Sequence, residues 1–242
     1  MTVSWLSAGV SSFIATYLIK DEIDEIYYIH IDDQEADTLR FIKDCEKALN
    51  KPIKILQNEQ YKTVENAILG FGHIRNGRTM FYPCTNWLKK RVRKEQFENL
   101  HKDEEITYVW GFDCTEISRA ERLNISMPEF THRFPLIEQN LTKEDCHALL
   151  TRLGIKRPKM YELGYQNNNC VGCVKGGMGY WNKIRQDFPE VFEKRAKLER
   201  KIGSSILKEC YLDELEPTRG LEQEEIMEDC GIFCELALHK IK

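Results

Sequence analysis

One short stretch near the N-terminus constrains the fold of this chain more than any other. Residues 3–17 read VSWLSAGVSSFIATY, where a short apolar run stops at small residues and apolar residues then resume at helical spacing. The first apolar run, Val3 to Leu6, suits a buried strand, and the second, Phe13 to Leu18, suits one face of a helix. The stretch therefore predicts a strand, a tight loop and a helix.

The predicted loop, residues 7–12, has the chemistry of an anion site. Its small side chains let the backbone approach a ligand closely, and the N–H groups at the start of a helix attract phosphate. The hydroxyls of Ser7, Ser11 and Ser12 add donors without bulk. A turn of serine and glycine before a helix is also an ordinary helix cap, so the loop alone leaves both roles open.

Strand and helix patterns then alternate along the chain. Residues 26–31, IYYIHI, suit a buried strand that ends at Asp32 and Asp33, residues 36–49 suit an amphipathic helix, and residues 52–56 suit a third strand. This alternation predicts an α/β fold with a parallel sheet, whose ligands gather beyond the carboxyl ends of the strands. Asp32 and Asp33 lie at such an end, although either one also suits the cap of the next helix.

The last core elements are predicted from residues 134–154. The apolar run FPLI at 134–137 resembles a final core strand. Thr142, with Asp145 at the capping-box position, predicts the start of a helix that ends at Gly154.

A basic helix is predicted after Pro83 and Cys84. A cysteine at the start of a helix is favoured as a thiolate by the helix dipole. The helix carries five cations that suit nucleic-acid phosphates: Lys89, Lys90, Arg91, Arg93 and Lys94. A run of charge is equally typical of a solvated helix face, so nucleic acid stays one of two interpretations.

A second charged helix follows the predicted strand at 107–111. Glu116, Arg119 and Arg122 recur at spacings that place a carboxylate and two guanidinium groups near one another. Arginine offers paired planar donors for phosphate or sulfate. The alternative is an exposed salt-bridge ladder within the helix.

Cysteines dominate the second half of the chain. Cys170 and Cys173 form a C-x-x-C pair in a glycine-rich loop, and two thiolates at this spacing can chelate a metal. Cys84 and either Cys230 or Cys234 offer the missing ligands, and both zinc and a [4Fe–4S] cluster fit four sulfurs. A redox dithiol or a structural knuckle is the alternative for the pair.

The order of these pieces resembles the phosphoadenylyl-sulfate (PAPS) reductase family of the adenine-nucleotide alpha-hydrolase-like (PP-loop) superfamily, in its small phage and mobile-element form. Residues 7–12, SAGVSS, resemble the pyrophosphate loop S-G-G-x-D-S, with Ala8 at the first glycine and Ser11 at the aspartate. The resemblance implies a Rossmann-like, HUP-type sheet that binds an adenine nucleotide, which is PAPS, APS or ATP.

The resemblance also implies roles for individual residues. Nucleotide contacts fall on Ser7, Ala8, Gly9, Ser11, Ser12, Asp32, Asp33, Gly111 and Arg122. Catalytic roles fall on Glu116, Arg119 and Cys230. Cys84, Cys170 and Cys173 look like the cysteines that hold a [4Fe–4S] cluster in adenylyl-sulfate reductases and in DNA-phosphorothioation and tRNA-thiolation relatives, with zinc as the alternative.

The C-terminal tail carries two competing roles. Residues 229–232, DCGI, resemble the E-C-G-[IL]-H tail of PAPS reductases, whose cysteine attacks the sulfate sulfur. Phe233 stands at the histidine position, and Cys234 adds a second thiol. The two roles predicted for Cys230 are thus nucleophile and ligand. It cannot serve as both at once, because a metal-bound thiolate is a poor nucleophile.

The resemblance implies a sulfonucleotide reductase supplied by a thioredoxin-like thiol carrier. One alternative is an ATP-dependent sulfurtransferase that acts on nucleic acid and draws sulfur from a cysteine desulfurase. Another is a nucleotide-binding regulatory protein with altered chemistry.

Composition sets the remaining limits. The 242 residues carry a formal net charge of -4, so a nucleic-acid partner needs a local basic patch. Nine cysteines without a signal peptide or a membrane-length apolar run predict a cytoplasmic chain with metal or catalytic thiols and no membrane partner. We predict a nucleotide-binding part over 1–165 and a cysteine-rich helical part over 166–242, packed together, and a homo-oligomer remains open.

Overall fold

Parallel strands lie at the centre of the molecule. The computed structural model describes residues 1–74 and 82–220, and within them five strands form one sheet in the order β3-β2-β1-β4-β5. The strands are β1 (Thr2–Leu6), β2 (Glu25–His30), β3 (Ile53–Gln57), β4 (Thr107–Val109) and β5 (Thr131–Arg133). Every pairing in this sheet is parallel, which confirms the predicted α/β fold with a parallel sheet flanked by helices.

Helices connect and cover the strands. They are α1 (Val10–Leu18), α2 (Thr38–Leu49), α3 (Val64–Phe71), α4 (residues 83–98, with π-helical turns at Asn86–Lys90 and Lys94–Glu98), α5 (Ile117–Ser126), α6 (Pro135–Glu138), α7 (Lys143–Arg152), α8 (Lys159–Glu162), α9 (Met178–Asp187) and α10 (Pro189–Ile202). Short 3-10 turns lie at Lys20–Glu22, Cys114–Glu116 and Leu212–Glu214. None of the helices in the described ranges has the length and apolar character needed to cross a membrane.

The last strand lies earlier in the chain than its apolar pattern suggested. β5 ends at Arg133, and Pro135–Glu138 forms α6. The prediction of a strand over 134–137 was wrong because Pro135 has no N–H to donate to a sheet, whereas its restricted φ suits the first position of a helix.

The helix that follows begins where its capping residues predicted. The Asp145 N–H donates to Thr142 Oγ1 at 3.2 Å, and the Thr142 N–H donates to Asp145 Oδ2 at 2.9 Å. The chain leaves the helix at Gly154, whose φ is +69°. Both ends of α7 are therefore set by residues close in sequence.

Alternation along the strands divides the apolar core into two faces. Ile26 and Tyr28 of β2 pack with α1, α2 and α7, whereas Tyr27 packs on the other face against Phe97 of α4. Successive side chains of a strand point to opposite faces, so one strand supplies both layers. The sheet is thus covered on both sides, as a parallel sheet requires.

A further apolar core joins the N-terminal and C-terminal halves of the chain. Ile31, Ile68 and Leu88 pack in the same group as Trp181 and Phe192. This core holds the region after residue 165 against the loops at the carboxyl end of the sheet. The boundary at residue 165 stays a prediction.

Candidate functional site

The β1–α1 loop, residues 7–12, lies at the carboxyl end of the central strand. The sheet order reverses direction at this point, because β1 pairs with β2 on one side and with β4 on the other. In open α/β sheets such a switch point is where ligands bind. The loop therefore lies at the place in the sheet where the sequence predicts a nucleotide or anion site.

Gly111 supports this loop from the end of β4. A Cβ atom built on Gly111 would lie 2.5 Å from Ser12 Cα and 2.6 Å from Ser12 N. The loop backbone therefore rests directly on a glycine, and any side chain would displace it. This contact gives Gly111 a supporting role at the predicted nucleotide site.

Ala8 has a conformation that usually belongs to glycine. Its φ is +60°, and the left-handed region costs a non-glycine residue roughly 1 to 2 kcal/mol. The Ala8 carbonyl accepts a 2.9 Å hydrogen bond from Asn168 Nδ2, and the same amide nitrogen lies 3.2 Å from Thr38 Oγ1. A buried hydrogen bond from Asn168, in the cysteine-rich part of the chain, thus holds Ala8 in its strained conformation.

The three predicted hydroxyls mainly shape the protein itself. Ser12 Oγ donates to Gly9 O at 2.8 Å and accepts from Ser7 N at 3.1 Å, and Ser7 Oγ donates to Ser12 Oγ at 3.0 Å. The Ser11 hydroxyl hydrogen-bonds to the buried thiol of Cys146. The Tyr161 hydroxyl accepts the Val10 N–H, so the donors left for an anion are chiefly the backbone N–H groups of Ser11 and Ser12, which lack partners within the helix.

Tyr161 belongs to this site, although no sequence signal marked it. Its side chain is 5% exposed, and its hydroxyl receives the backbone N–H groups of Val10 and Asn168. A Cβ atom on Gly9 would lie 3.3 Å from this hydroxyl. Burial raises the pKa of Tyr161 to about 12, so the hydroxyl stays protonated. His147 packs edge-on against the ring at 4.6 Å.

Asp33 links the end of β2 to the cysteine region. One carboxylate oxygen accepts the Val64 N–H at 2.7 Å, and the other pairs with the buried guanidinium of Arg195. The Asp33 carbonyl accepts the Val171 N–H at 2.8 Å. Arg195 Nε also lies 3.4 Å from Gly172 O. The Asp33 carboxylate is therefore committed to holding the cysteine loop.

Asp32 differs from its neighbour because it is exposed. Its Oδ1 accepts from Gln57 Nε2 at 2.6 Å and lies 3.6 Å from His30 Nε2. The side chain stands at the carboxyl end of β2 and is accessible to a ligand there.

The charged group after β4 forms the ion pair that was the alternative to an anion site. Glu116 Oε2 accepts the Asp113 N–H at 3.3 Å, and Glu116 Oε1 accepts from Arg119 Nη1 at 2.6 Å. The Arg119 guanidinium carbon lies 4.2 Å from the centre of the Phe112 ring. Arg122 is exposed one turn later. Their roles toward a nucleotide stay predictions.

Three of the predicted metal ligands lie in one neighbourhood. Cys84 starts α4, and its thiol interacts electrostatically with those of Cys170 and Cys173. Burial raises the pKa of Cys84 and raises that of Cys170 to about 12, while the charge of Lys175 lowers the first and that of Lys89 lowers the second. Two cations therefore face the three thiols, which favours the thiolate form when a metal or cluster binds.

The cysteine loop, residues 166–177, is held by a tyrosine and a glycine. Tyr180 Oη accepts the Cys173 N–H at 2.9 Å and donates to Cys170 O at 3.3 Å. Gly172 has a φ of +69°, and a Cβ there would lie 2.6 Å from Val191 Cγ1. Position 172, between the two cysteines, therefore accepts only glycine.

The donor set becomes a complete ligand set only with a further thiol. Cys230 and Cys234 lie outside the described residues. Within 1–74 and 82–220, no group of three or more His, Cys, Asp or Glu side chains is arranged to hold a metal ion. A [4Fe–4S] cluster tolerates separated thiols because each ligand binds a different iron, whereas zinc needs its ligands around one atom. Binding of a [4Fe–4S] cluster or of zinc by Cys84, Cys170 and Cys173 stays a prediction.

The described chain ends beside this region. Gly220 packs against the start of α9, where a Cβ on it would lie 2.3 Å from Gly179 N. The Arg219 carbonyl accepts from Asn182 Nδ2 at 2.7 Å. Cys230 follows ten residues later in the sequence, outside the described residues.

Part of the predicted basic helix is neutralised. Arg91 pairs with Glu95, and Arg93 Nε lies 2.8 Å from Glu98 Oε1. The remaining exposed cations are Lys89, Lys90 and Lys94. A nucleic-acid contact on this helix would therefore rest on three lysines.

A buried nitrogen beside the cysteine loop has no partner in the part of the chain described. Arg195 is 1% exposed, and its Nη1 makes no hydrogen bond there, although Nη2 pairs with Asp33. An unpaired buried donor is costly. Among the described residues, Arg195 Nη1 is therefore a hydrogen-bond donor near the cysteine loop that could pair with a negatively charged group.

The chain is similar to known proteins over part of its length. No model of a known protein family matches the chain. An uncharacterized protein of Methanocaldococcus jannaschii is 26% identical over 119 residues, a match that covers 46% of this chain and 24% of that protein. The chain thus spans about a quarter of that relative's length. The crystal structure of PAPS reductase from Candida auris, a phosphate complex, is similar with a TM-score of 0.47 and 11% identity, and the match covers 70% of this chain and 80% of that one.

Proposed function

We propose that this chain binds an adenine nucleotide at the β1–α1 loop and carries out cysteine- and iron–sulfur-dependent chemistry on it, as a sulfonucleotide reductase. The observation that carries the proposal is the direct connection between this loop and the cysteine loop. Asn168 Nδ2 donates to Ala8 O at 2.9 Å, and Cys170 lies two residues further along. Two Cα–Cα steps span at most about 7.6 Å, so the first thiol lies close to the anion site.

The residues of the two loops divide the work. The N–H groups at the start of α1 bind phosphate, and Tyr161 keeps the loop in shape. Cys84, Cys170, Cys173 and one tail thiol hold a [4Fe–4S] cluster, which supplies redox and electrostatic chemistry when bound. Lys89 and Lys175 balance the negative charge of the thiolates.

Sulfur reduction requires a nucleophile besides the ligands. We assign it to Cys230 in this scheme, with Cys234 as the fourth ligand. The Cys230 thiolate attacks the sulfonate sulfur and displaces the adenosine phosphate, which leaves an S-sulfonated cysteine. A dithiol carrier then attacks this cysteine sulfur, releases sulfite and is itself oxidised to a disulfide.

A second candidate is ATP-dependent sulfur transfer to nucleic acid. Cys84 is the second residue of helix α4, which carries the exposed lysines Lys89, Lys90 and Lys94. A phosphate backbone bound to these lysines would therefore run beside the thiols. This candidate requires release of pyrophosphate from ATP, which sulfonucleotide reduction does not.

Anaerobic purification with an absorption spectrum and analysis of iron, sulfide and zinc tests the ligand set. We expect iron and sulfide in the wild type, and their loss in Cys84→Ala, Cys173→Ala and Cys234→Ala. Cys210→Ala is the matched control, because the charges that act on its thiol are those of Arg219 and nearby glutamates such as Glu214, and not the three predicted ligand thiols. Iron lost with Cys230→Ala, but kept with Cys234→Ala, would make Cys230 the ligand and refute its assignment as nucleophile.

Calorimetric titration of PAPS, APS and ATP into the same preparations tests the nucleotide. We expect PAPS or APS to bind and to yield sulfite with a reduced thiol carrier. Pyrophosphate release from ATP in the presence of nucleic acid would instead support the second candidate. Nucleotide binding without either reaction would indicate a regulatory protein.

A further inference from the structure

A cavity of about 180 Å³ opens beside the cysteine loop. The residues that line it include Cys173, Lys175, Gln166, Asn167 and Asn169. No carboxylate lines it among the residues described. A wall with one cation, several amide donors and no acidic group suits an anion.

The charges around the cavity also favour an anion. Lys143 Nζ donates to the Gln166 carbonyl and lies 3.0 Å from Asn167 Oδ1. Because the Asn167 oxygen faces this ammonium, its NH₂ group is the part left to meet a ligand. The ammonium of Lys175 lies 5.0 Å from the centre of the Tyr82 ring, which places it between the cavity and the start of α4.

The acidic group that contacts Tyr165, one of the lining residues, already has partners. Asp187 accepts from the Tyr165 hydroxyl at 2.8 Å and pairs with Lys183 at 3.1 Å. The negative charge of Asp187 is therefore neutralised by Lys183, and its contact with the cavity wall is through the Tyr165 hydroxyl.

Glycines keep the cavity open. A Cβ atom on Gly176 would lie 2.0 Å from the Tyr180 ring, so the backbone packs closely there. Gly177 also lines the cavity, and a Cβ on it would meet nothing within 4 Å. Its φ of -80° suits any residue, so the missing side chain is a matter of space and not of backbone strain.

We propose that this cavity binds a small divalent oxyanion, sulfite or sulfate, beside Cys173. The inference rests on the proposed function, in which sulfite is the product released near the thiols. Lys175 supplies the charge, and the amides of Asn167 and Asn169 supply directional donors. A phosphate group of a nucleotide has the same shape and charge, so the test separates these two sources.

Equilibrium dialysis of the full chain with labelled sulfite, sulfate or phosphate, under anaerobic conditions and without nucleotide, tests the proposal. We expect saturable binding of one anion per chain that weakens as salt is added. Lys175→Gln should weaken it at least fivefold, and Lys175→Arg should restore it to within twofold. Lys197→Gln is the matched control, because this exposed lysine of α10 lies outside the cavity.

A steric variant keeps the test decisive if Lys175→Gln alters folding. Gly177→Val should fill the cavity, retain its charge and abolish anion binding, while circular dichroism reports an unchanged fold. Tighter sulfite than phosphate binding assigns the cavity to the sulfur oxyanion, and the reverse assigns it to a nucleotide phosphate. Absence of saturable binding, or equal binding by wild type, Lys175→Gln and Gly177→Val, overturns the proposal.

The outcome is separable from that of the proposed function because no nucleotide is present. A chain that binds sulfite at this cavity but binds no adenine nucleotide would keep the cavity and refute the reductase. A chain that binds an adenine nucleotide but no oxyanion would refute the cavity proposal and leave the reductase proposal in place.

Discussion

The two loops that form the candidate site are stabilised in different ways. The β1–α1 loop has hydrogen bonds between residues at most five positions apart, such as Ser7 and Ser12, in addition to distant contacts with Gly111, Asn168 and Tyr161. The cysteine loop depends on a buried ion pair whose members, Asp33 and Arg195, are 162 positions apart. The first loop therefore has a local hydrogen-bond network of its own and is set by close steric contacts, whereas the second is held by a buried charge pair between distant parts of the chain.

The largest effect is expected when the buried ion pair is broken. Arg195→Met leaves the Asp33 carboxylate unpaired, which typically costs about 3 to 5 kcal/mol of unfolding free energy. Urea denaturation measures the loss. We also expect the variant to lose iron, because Arg195 reaches the Gly172 carbonyl between the two cysteines.

Two variants sharpen this prediction. Arg200→Met removes an exposed pair with Asp213 and should cost less than about 1 kcal/mol. Arg195→Met combined with Asp33→Asn should recover part of the loss, since the charge left behind is gone. A cost near that of the exposed pair would contradict the role given to Arg195.

The β1–α1 loop should instead be most sensitive to steric change. Gly111→Ala places a Cβ 2.5 Å from the Ser12 backbone, and overpacking of this kind costs about 1 to 3 kcal/mol. Nucleotide binding should weaken while iron content stays at the wild-type level. Gly177→Ala is the control for stability alone, because its Cβ meets nothing within 4 Å; it is no control for ligand binding, since Gly177 lines the proposed anion cavity. Equal effects of the two changes would remove the close contact from the explanation.

Acid should weaken the region beneath the β1–α1 loop through His147. Burial, with the charges of Arg157 and Lys143, lowers the pKa of His147 from 6.5 to about 3. The unfolded chain therefore binds the proton more readily, and the contribution to stability is complete above pH 6.5 and lost as the pH falls toward 3. The slope is about 1.4 kcal/mol per pH unit.

His147→Leu should remove this pH dependence. It should cost little at pH 7, because both ring nitrogens lack hydrogen-bond partners among the described residues and their desolvation penalty disappears. Urea denaturation at pH 7 and pH 5 measures both effects. An unchanged slope in the variant would show that other groups titrate.

The smallest effect is a gain in stability. Ala8→Gly removes the left-handed strain of about 1 to 2 kcal/mol but adds about 0.5 to 1 kcal/mol of unfolded-state entropy, so the net gain should lie between about 0 and 1.5 kcal/mol. The same change should leave the Asn168 hydrogen bond in place, because that bond uses the Ala8 carbonyl. Thermal denaturation measures it, and a loss of stability would show that Ala8 contributes through its methyl group.

Much of the fold was predictable from the sequence, because its signals are local. The strand, loop and helix over residues 3–17 follow from the spacing of apolar residues, and α7 follows from its capping box and Gly154. The wrong strand over 134–137 shows the limit of apolar pattern alone, since Pro135 directs that run into a helix.

The candidate site was predictable only in part. The three cysteines share a neighbourhood, as their grouping into one ligand set predicted, and Gly111 touches the β1–α1 loop, near which the family resemblance placed it. Tyr161 and Arg195 were not predicted as site residues, because a single tyrosine or arginine carries no spacing motif. Their importance comes from partners distant in sequence.

The sequence alone determined the element types, the parallel order of the first strands and the residue types available for anion and metal binding. Those properties depend on neighbours within a few positions, through periodicity, capping and side-chain chemistry. Only the tertiary structure decided that Asp33 holds the cysteine loop and that Asn168 holds Ala8. These contacts depend on the path of the chain through space, since burial makes a charge or an amide seek whichever partner the fold brings within reach.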